Sequence, residues 1–496
     1  MLKYISKICL VVPMVFLLGS CWELDQEVLD GVTPEDVANS DNPELINVLK
    51  ASAYSRIVGG WGGHNGIWSI HEVSSDEMVI AQKGADWQDG GLWLRMHRHT
   101  WEPSDEAFNN SWNYCFTAIG EINNLLISFP DVEALGAELK VLRALTYLWL
   151  IDSFGNVPII TEESSGGNPT NNSRQEVFAF IESSIKDNMD LLVKTNTKTT
   201  INYYTAQAML AKLYLNAEVY TGTPRWADAE AAADEVINSG MYSLSSNFFS
   251  NFSTRNGGST ENILTLPYDE NNAGGFNLVQ MTLHYLSQNT YDLQEQPWNG
   301  YATLEEFYNG FEENDVRKQS FIVGPQFAAD GTRLNDISAE ASDPDGPPLT
   351  FTPFINMLEP NALRQSGARV GKYEFAPGTP ANLSNDYPLI RLSDIILTKA
   401  EAAFRQGKTA VALTAINQVR ARANMPNYTA LTLDNIFDER GLELFAEASR
   451  RTDMIRFGKW TEAWWEKNPS QPFRTLFPIP LQQINANPNL TQNPGY

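Results

Sequence analysis

Two short stretches of this chain set flat aromatic rings beside amides and carboxylates. The first, Gly84-Ala-Asp86-Trp87-Gln88-Asp89-Gly90-Gly91-Leu-Trp93, carries two indoles, two carboxylates and an amide among glycines. The second runs from Tyr291 to Gln296-Pro-Trp298-Asn299-Gly300-Tyr301. An indole covers the C–H face of a pyranose ring at little entropic cost, and neighbouring amides and carboxylates fix the hydroxyls. Trp87, Asp89, Trp93, Tyr291, Trp298 and Asn299 are therefore the candidate ligand contacts. A bland reading stands beside each of them. Trp87 and Trp93 would equally serve to pin their loop to a scaffold, and Asn299-Gly300 is also turn chemistry. Six of the thirteen Trp fall between residues 61 and 112; of these, Trp101 and Trp112 flank or lie in predicted helix and are expected in the core.

Other residue patterns suggest other chemistry and fail on spacing. On a helix, Arg440, Glu443, Glu447 and Arg451 share one stripe, with Leu442, Phe445 and Ala446 turned away. Paired carboxylates are glycosidase equipment. Each Glu here has Arg three or four residues away, which favours ionised, salt-bridged carboxylates over a raised-pKa acid. A structural ion-pair network is the expectation. Gly407-Lys408-Thr409 lacks the first glycine of a phosphate loop, since Ala402 stands there. His71-Glu72 lacks the second histidine of a zinc-protease helix, and nothing fixes His64, His71, His97 and His99 as a ligand set. Asp343-Pro-Asp345-Gly346 lacks the remaining ligands of a calcium loop. No metal site and no cofactor are expected. Cys115 is expected as a small buried hydrophobe.

Those loops need a scaffold, and apolar residues at three- and four-residue spacing supply it. The spacing predicts helices over about 43–58, 104–128, 132–153, 173–193, 202–220, 225–239, 386–406, 408–423 and 434–456. Between them lie two irregular insertions, 59–103, rich in Gly and Trp, and 240–385, rich in Asn, Gly, Ser and Pro. No series of alternating strands is present. Thr205 to Leu215 followed by Trp226 to Ile237, and Ile395 to Phe404 followed by Ala410 to Arg420, form two similar helical pairs. Small residues stand where the helices must approach. The pattern is that of a tetratricopeptide-like scaffold, in which one repeat cannot bury its face alone. The expected fold is mainly α, a helical repeat scaffold whose large loop-rich insertions carry the ligand face.

The chain has 496 residues, 60 of them acidic and 35 basic, and a net charge of −25. Such a surface repels phosphate backbones, so nucleic acid is excluded as a partner. At the N-terminus Lys3 and Lys7 precede an eleven-residue apolar stretch, Ile8 to Leu18, too short to span a bilayer. It ends in Leu18-Gly19-Ser20-Cys21, which resembles a bacterial lipobox. Residues 1–20 are read as a lipoprotein signal peptide, Cys21 as the site of lipid attachment, 21–43 as a tether and 44–496 as one domain. Several acyl chains together hold a protein stably on a membrane. The acidic residues Glu23, Asp25 and Glu27 after Cys21 resemble a signal for export to the outer cell surface.

Blocks along the whole length carry a family resemblance. These are Glu138-Leu-Lys-Val-Leu-Arg143-Ala-Leu-Thr-Tyr147 with Asp152-Ser-Phe154-Gly155-Asn-Val-Pro158; Tyr387-Pro-Leu-Ile-Arg391-Leu-Ser-Asp394 with Ala400-Glu401-Ala402 and Asn417-Gln-Val-Arg420; Glu439-Arg440-Gly-Leu-Glu443, Glu447, Arg450-Arg451, Asp453 and Arg456; and Phe477-Pro-Ile-Pro480 with Asn487 to Tyr496. In order and spacing the chain resembles the RagB/SusD family of Bacteroidetes outer-membrane nutrient-binding lipoproteins. The resemblance implies an α-helical fold with a loop-rich ligand face. It also implies capture of a glycan without cleavage and delivery to a SusC-like TonB-dependent outer-membrane transporter. The expected location is the outer membrane, lipid-anchored and facing outward. The alternatives are an all-helical glycoside hydrolase and a binder of a non-sugar nutrient such as peptide.

Overall fold

The structure is a computed structural model that describes residues 43–336 and 348–496. The signal peptide, Cys21 and most of the tether lie outside the described residues. No helix among the described residues is long and apolar enough to cross a membrane.

The longer helices are α1 (Pro43–Trp61), α2 (Ile67–Val73), α3 (Leu92–Arg98), α4 (Glu106–Ser128), α5 (Glu133–Ser153), α6 (Arg174–Lys186), α7 (Tyr203–Leu215), α8 (Trp226–Ile237), α9 (Leu392–Arg405), α10 (Thr409–Arg422), α11 (Leu433–Leu444) and α12 (Arg450–Arg456). The fold is mainly α, as the periodicity predicts. Caps set several boundaries. The Asn202 side chain accepts the N–H groups of Tyr204 and Thr205 at 2.9 and 3.0 Å, which starts α7. Ser173 with Glu176 and Thr432 with Asn435 form reciprocal capping boxes before α6 and α11. Helix α5 stops at Gly155, whose φ of +72° and N–H to the Leu150 carbonyl close the last turn. A Cβ there would lie 2.8 Å from Leu476.

The two predicted helical pairs are hairpins, α7 with α8 and α9 with α10, and they stack through α8 against α9. On the other side α4 and α5 pack together, with α1 against α4 and α6 against α5. One continuous apolar core runs through all of them, from Ala53 to Leu490. Trp101 and Trp112 belong to it, 1% and 4% exposed, as expected. Cys115 is fully buried there, and burial pushes its thiol pKa up.

Short antiparallel pairs tie the insertions down: β1 (Met78–Ile80), β2 (Asn262–Pro267), β3 (Tyr301–Thr303), β4 (Phe321–Ile322), β5 (Gly324–Pro325), β6 (Thr350–Phe351), β7 (Arg369–Val370) and β8 (Asp386–Arg391). The pairs are β1 with β3, β2 with β8, β4 with β7 and β5 with β6.

Three boundaries differ from the periodic reading. Residues 386–391 are a strand that pairs with β2, and the helix begins only at Leu392. Two short helices, α2 and α3, lie inside the stretch read as irregular. The expected helix over 434–456 is two helices, separated at 445–449, with Ala446 and Ala448 at φ +60° and +54°. Tertiary contacts hold this break open. Glu77 and Glu72 accept the N–H groups of Ala446 and Ala448 at 3.1 and 2.6 Å. Lys372 donates to the Phe445 carbonyl at 2.6 Å, and Tyr373 to that of Ala446 at 3.0 Å. Four backbone groups of the broken turn thus have side-chain partners that compete with helix continuation.

The charged residues of α11, with Glu447 in the break after it, form an ion-pair network, but the single stripe expected over 440–451 is divided by the break and the partners of the glutamates come from other segments. Glu443 meets Arg317 at 3.1 Å, Arg391 at 3.0 Å and also Arg422. Glu439 meets Arg317 at 2.7 Å and Arg420 at 2.6 Å, and Glu447 meets Arg391 and Lys372. Arg440 bridges Asp394 and Asp453. The guanidinium groups hold the Glu443 carboxyl well below the usual range despite its burial. Pairs this deep cost more to break than they add when formed, because a lone charge is left dry.

Candidate functional site

The pairing of β1 with β3 builds the site. Ile80 lies opposite Tyr301, Val79 opposite Ala302 and Met78 opposite Thr303. The loop after β1 and the loop before β3 therefore leave from the same end of the pair, although more than 200 residues separate them. Trp87 and Trp298 sit on these two loops. Trp87 Nε1 donates to the Trp298 carbonyl at 2.7 Å. The Trp298 N–H donates to Gln280 O at 2.7 Å and that of Gly300 to Met281 O at 2.8 Å, which pins the second loop. The Trp87 ring lies where a side chain at residue 300 would project, so only glycine fits there. Trp87, Asp89 and Asn299 all have φ between +38° and +59°. Non-glycine residues rarely take that conformation, and its concentration on both loops marks backbone held by its surroundings.

Four rings surround His64. Its centroid is 5.1 Å from that of Trp93, 5.2 Å from Trp87, 5.9 Å from Trp298 and 6.2 Å from Tyr301. His64 Nδ1 lies 3.1 Å from Tyr301 Oη, which is 2.7 Å from Ser69 Oγ. Burial lowers the His64 pKa, against the opposing pull of Asp89 and Glu106. The imidazole is therefore neutral at pH 7 and joins the aromatic wall rather than adding charge to it.

The six candidate contacts divide by position. Trp298 is 37% exposed and Trp87 half-buried, and together they present aromatic surface to solvent. Asp89 is exposed and accepts the Trp93 indole N–H at 2.8 Å. Trp93 itself is 1% exposed, because it lies on α3 and its ring packs under the loop. Asn299 is fully buried, holding the Arg364 carbonyl at 3.0 Å and the Arg369 guanidinium at 2.8 Å. These two position the loops and leave no face for a ligand. Tyr291 stands apart from the His64 cluster, its ring against Phe375 at 4.9 Å.

Sequence reasoning treated His64 only as a possible metal ligand and overlooked its place at the centre of the rings. Nothing local signals that role; it follows from the β1–β3 pairing. The other histidines go to separate partners. His71 contacts Ser153 Oγ, His97 the Trp465 carbonyl and His99 the Ser74 carbonyl, each at 2.8 Å. Among the described residues no three His, Cys, Asp or Glu converge on a metal position. Tyr285 was also overlooked. Its hydroxyl donates to Asp86 at 2.5 Å, next to Trp87.

Comparison with known proteins matches this architecture. The profile of the SusD family matches residues 194–496, and one described as "Starch-binding associating with outer membrane" matches 35–215. The starch-binding protein SusD of Bacteroides thetaiotaomicron is 27% identical, covering 88% of this chain and 86% of its own. The SusD-like protein P38 of Formosa agariphila is 24% identical over 100% of this chain and 99% of its own. Among solved structures, a SusD superfamily protein from Parabacteroides distasonis superposes with a TM-score of 0.73 at 21% identity, over 91% of this chain and 99% of its own. Surface glycan-binding protein A from Bacteroides thetaiotaomicron, in complex with laminarihexaose, does so with a TM-score of 0.72 at 21% identity, over 91% of this chain and 99% of its own. With the first of these profiles spanning well over half of the residues, the chain belongs to the SusD family.

Proposed function

We propose that this chain is a cell-surface lipoprotein that binds a glycan and delivers it, uncut, to a SusC-like TonB-dependent transporter. The observation that carries the reading is the Trp87–Trp298 wall. A solvent-facing indole is backed by a second indole and a neutral imidazole, with the carboxylates of Asp86 and Asp89 on the same loop. Such a surface fits the apolar face of a sugar ring and the hydroxyls at its edge. The relatives support it: one is a starch-binding protein, one is described as laminarin binding and one is seen with laminarihexaose. The lipobox and the acidic residues after Cys21 support attachment through Cys21 and an outward-facing position, and the second family profile supports association with the outer membrane.

Binding without cleavage is the chemistry the buried glutamates of α11 favour. Glu439 and Glu443 are engaged by guanidinium groups, and the depressed pKa of Glu443 suits an ion pair rather than a general acid. The test is isothermal titration of the protein lacking residues 1–21 against a panel of oligosaccharides, with each mixture then checked for shorter products. Saturable heat with intact sugar is the expected result. Shortened sugar overturns the reading in favour of a hydrolase, and saturable binding of peptides alone overturns the glycan.

A further inference from the structure

We propose that the glycan seated on Trp87 and Trp298 is acidic, and that its carboxylate or sulfate pairs with Arg364 beside the aromatic wall. This rests on the glycan-binding reading and names the class of sugar. The Arg364 guanidinium lies 4.3 Å over the Tyr285 ring, whose hydroxyl is bonded to Asp86, the neighbour of Trp87. The Arg364 carbonyl accepts from Asn299, the neighbour of Trp298. Arg364 thus stands at the seam between the two loops. Its side chain is 22% exposed, and among the described residues its guanidinium donates no hydrogen bond. The nearest carboxylate there, Asp336, is 3.6 Å from Nε and is shared with His284 at 3.3 Å.

Two more basic side chains lie behind it. Among the described residues Lys83 Nζ donates only to the carbonyls of Ala81 and Gly300, at 3.1 and 3.4 Å. Arg369 is fully buried and held by the Ser366 and Arg364 carbonyls and by Asn299 Oδ1. Neither has a carboxylate within ion-pair distance among the described residues, and Arg369 Nε has no partner at all. Burial, Arg369 and Arg364 together press the Lys83 pKa well below its ordinary value, with Asp86 opposing them. Among the described residues the guanidinium groups of Arg364 and Arg369 stand near the carboxylates of Asp86 and Asp336, and of these pairs only Arg364 with Asp336 comes within ion-pair distance; Asp89 sits on the His64 side. In a chain of charge −25, these two guanidinium groups stand beside the aromatic wall with donors that no carboxylate among the described residues fully engages. Guanidinium donors match the planar geometry of carboxylate and sulfate oxygens. An anion there would supply the charge these groups lack.

The experiment is affinity electrophoresis of the full-length protein in detergent through gels holding neutral, uronic-acid or sulfated polysaccharides. A protein of this net charge is repelled by acidic polymers in general, so retention by one reports a specific site. The expected result is retention by at least one acidic polymer. Its apparent Kd rises at least tenfold in Arg364→Gln, is largely kept in Arg364→Lys, and the thermal midpoint of either variant stays close to the parent. Uronic and sulfated gels tell the two anions apart. Retention by neutral polymers alone overturns the proposal and leaves glycan binding standing. Equal retention of Arg364→Gln and the parent by an acidic polymer also overturns it. No retention in any gel removes the glycan reading with it.

Discussion

Trp87 donates its indole N–H to the main-chain carbonyl of Trp298 at 2.7 Å across 211 residues of chain. The two loops are thereby one unit. Trp87 supports the backbone that presents Trp298, and β1 with β3 holds both at a common level. Rings fixed before a ligand arrives lose little freedom on binding, which is where aromatic recognition gains its strength.

Trp298→Ala removes an indole that is 37% exposed and meets the His64 ring at 5.9 Å. Affinity for the glycan should fall by about 1–3 kcal/mol, the range for truncating an aromatic hot spot. The thermal midpoint should stay within a few degrees of the parent. Titration calorimetry and a melting curve on the same sample check both. Unchanged affinity would place the ligand elsewhere.

Gly300→Ala should weaken binding without touching the ligand. The new methyl enters the space of the Trp87 ring, which must swing away and release the Trp298 carbonyl. The fluorescence of the site should change before any sugar is added, and Trp87→Phe should reproduce part of the loss of affinity. A variant with parental affinity would show that Trp87 has no part in presenting Trp298.

Glu443→Gln keeps the shape of the side chain and removes one charge from among Arg317, Arg391 and Arg422. Stability should fall by about 3–5 kcal/mol, as for other broken buried pairs; denaturant titration measures it. The folded pKa of Glu443 lies below its unfolded value, so its contribution is present above about pH 4.3 and is lost as pH falls. The parent's extra stability over the variant should therefore shrink on acidification.

Glu72 acts in the opposite sense. Burial raises its carboxyl to about 7, with the neighbouring Glu77 acid, the Ala448 N–H and Lys372 opposing. Between about pH 4.3 and 7 the folded state holds a proton that the unfolded state has lost, so this group's contribution declines as pH rises, by at most about 1.4 kcal/mol per pH unit. Buried His71 and His97, pushed down to about 4, pull the other way. The effect is read as a difference: Glu72→Gln, which mimics the protonated acid, should gain on the parent as pH rises from 5 to 7. A constant difference would mean that Glu72 does not titrate there.

The scaffold was legible where one physical rule acted alone. Small residues at helical spacing announced the α7–α8 and α9–α10 hairpins; the charges of α11 announced an ion-pair network but not its partners, since Arg317, Arg391, Arg420 and Arg422 come from other segments. The strand at 386–391 was absorbed into a helix because Leu389 and Ile390 suit both periods; Pro388 was the available warning. The break at Ala446 and Ala448 left no local trace, since alanine favours the helix that Glu72, Glu77 and Lys372 prevent. At the site, residue type pointed to Trp87 and Trp298. It could not separate them from Trp93, whose place on α3 buries it, and it gave no hint of His64 or Arg364, which the strand pairing delivers from elsewhere.

The acceptors for the broken turn come from very far back along the chain: Glu77 and Ala446 are 369 residues apart, Glu72 and Ala448 376. The indole N–H of Trp101 reaches the last residue, Tyr496, at 2.6 Å. Such distant closures make folding slow and leave the first half unfinished until the final segment is available. A ribosome or a secretion pore releasing this chain from its N-terminus would thus deliver an incomplete site. Loss of even the last few dozen residues would yield a product unable to present its indoles, however intact the loops that bear them.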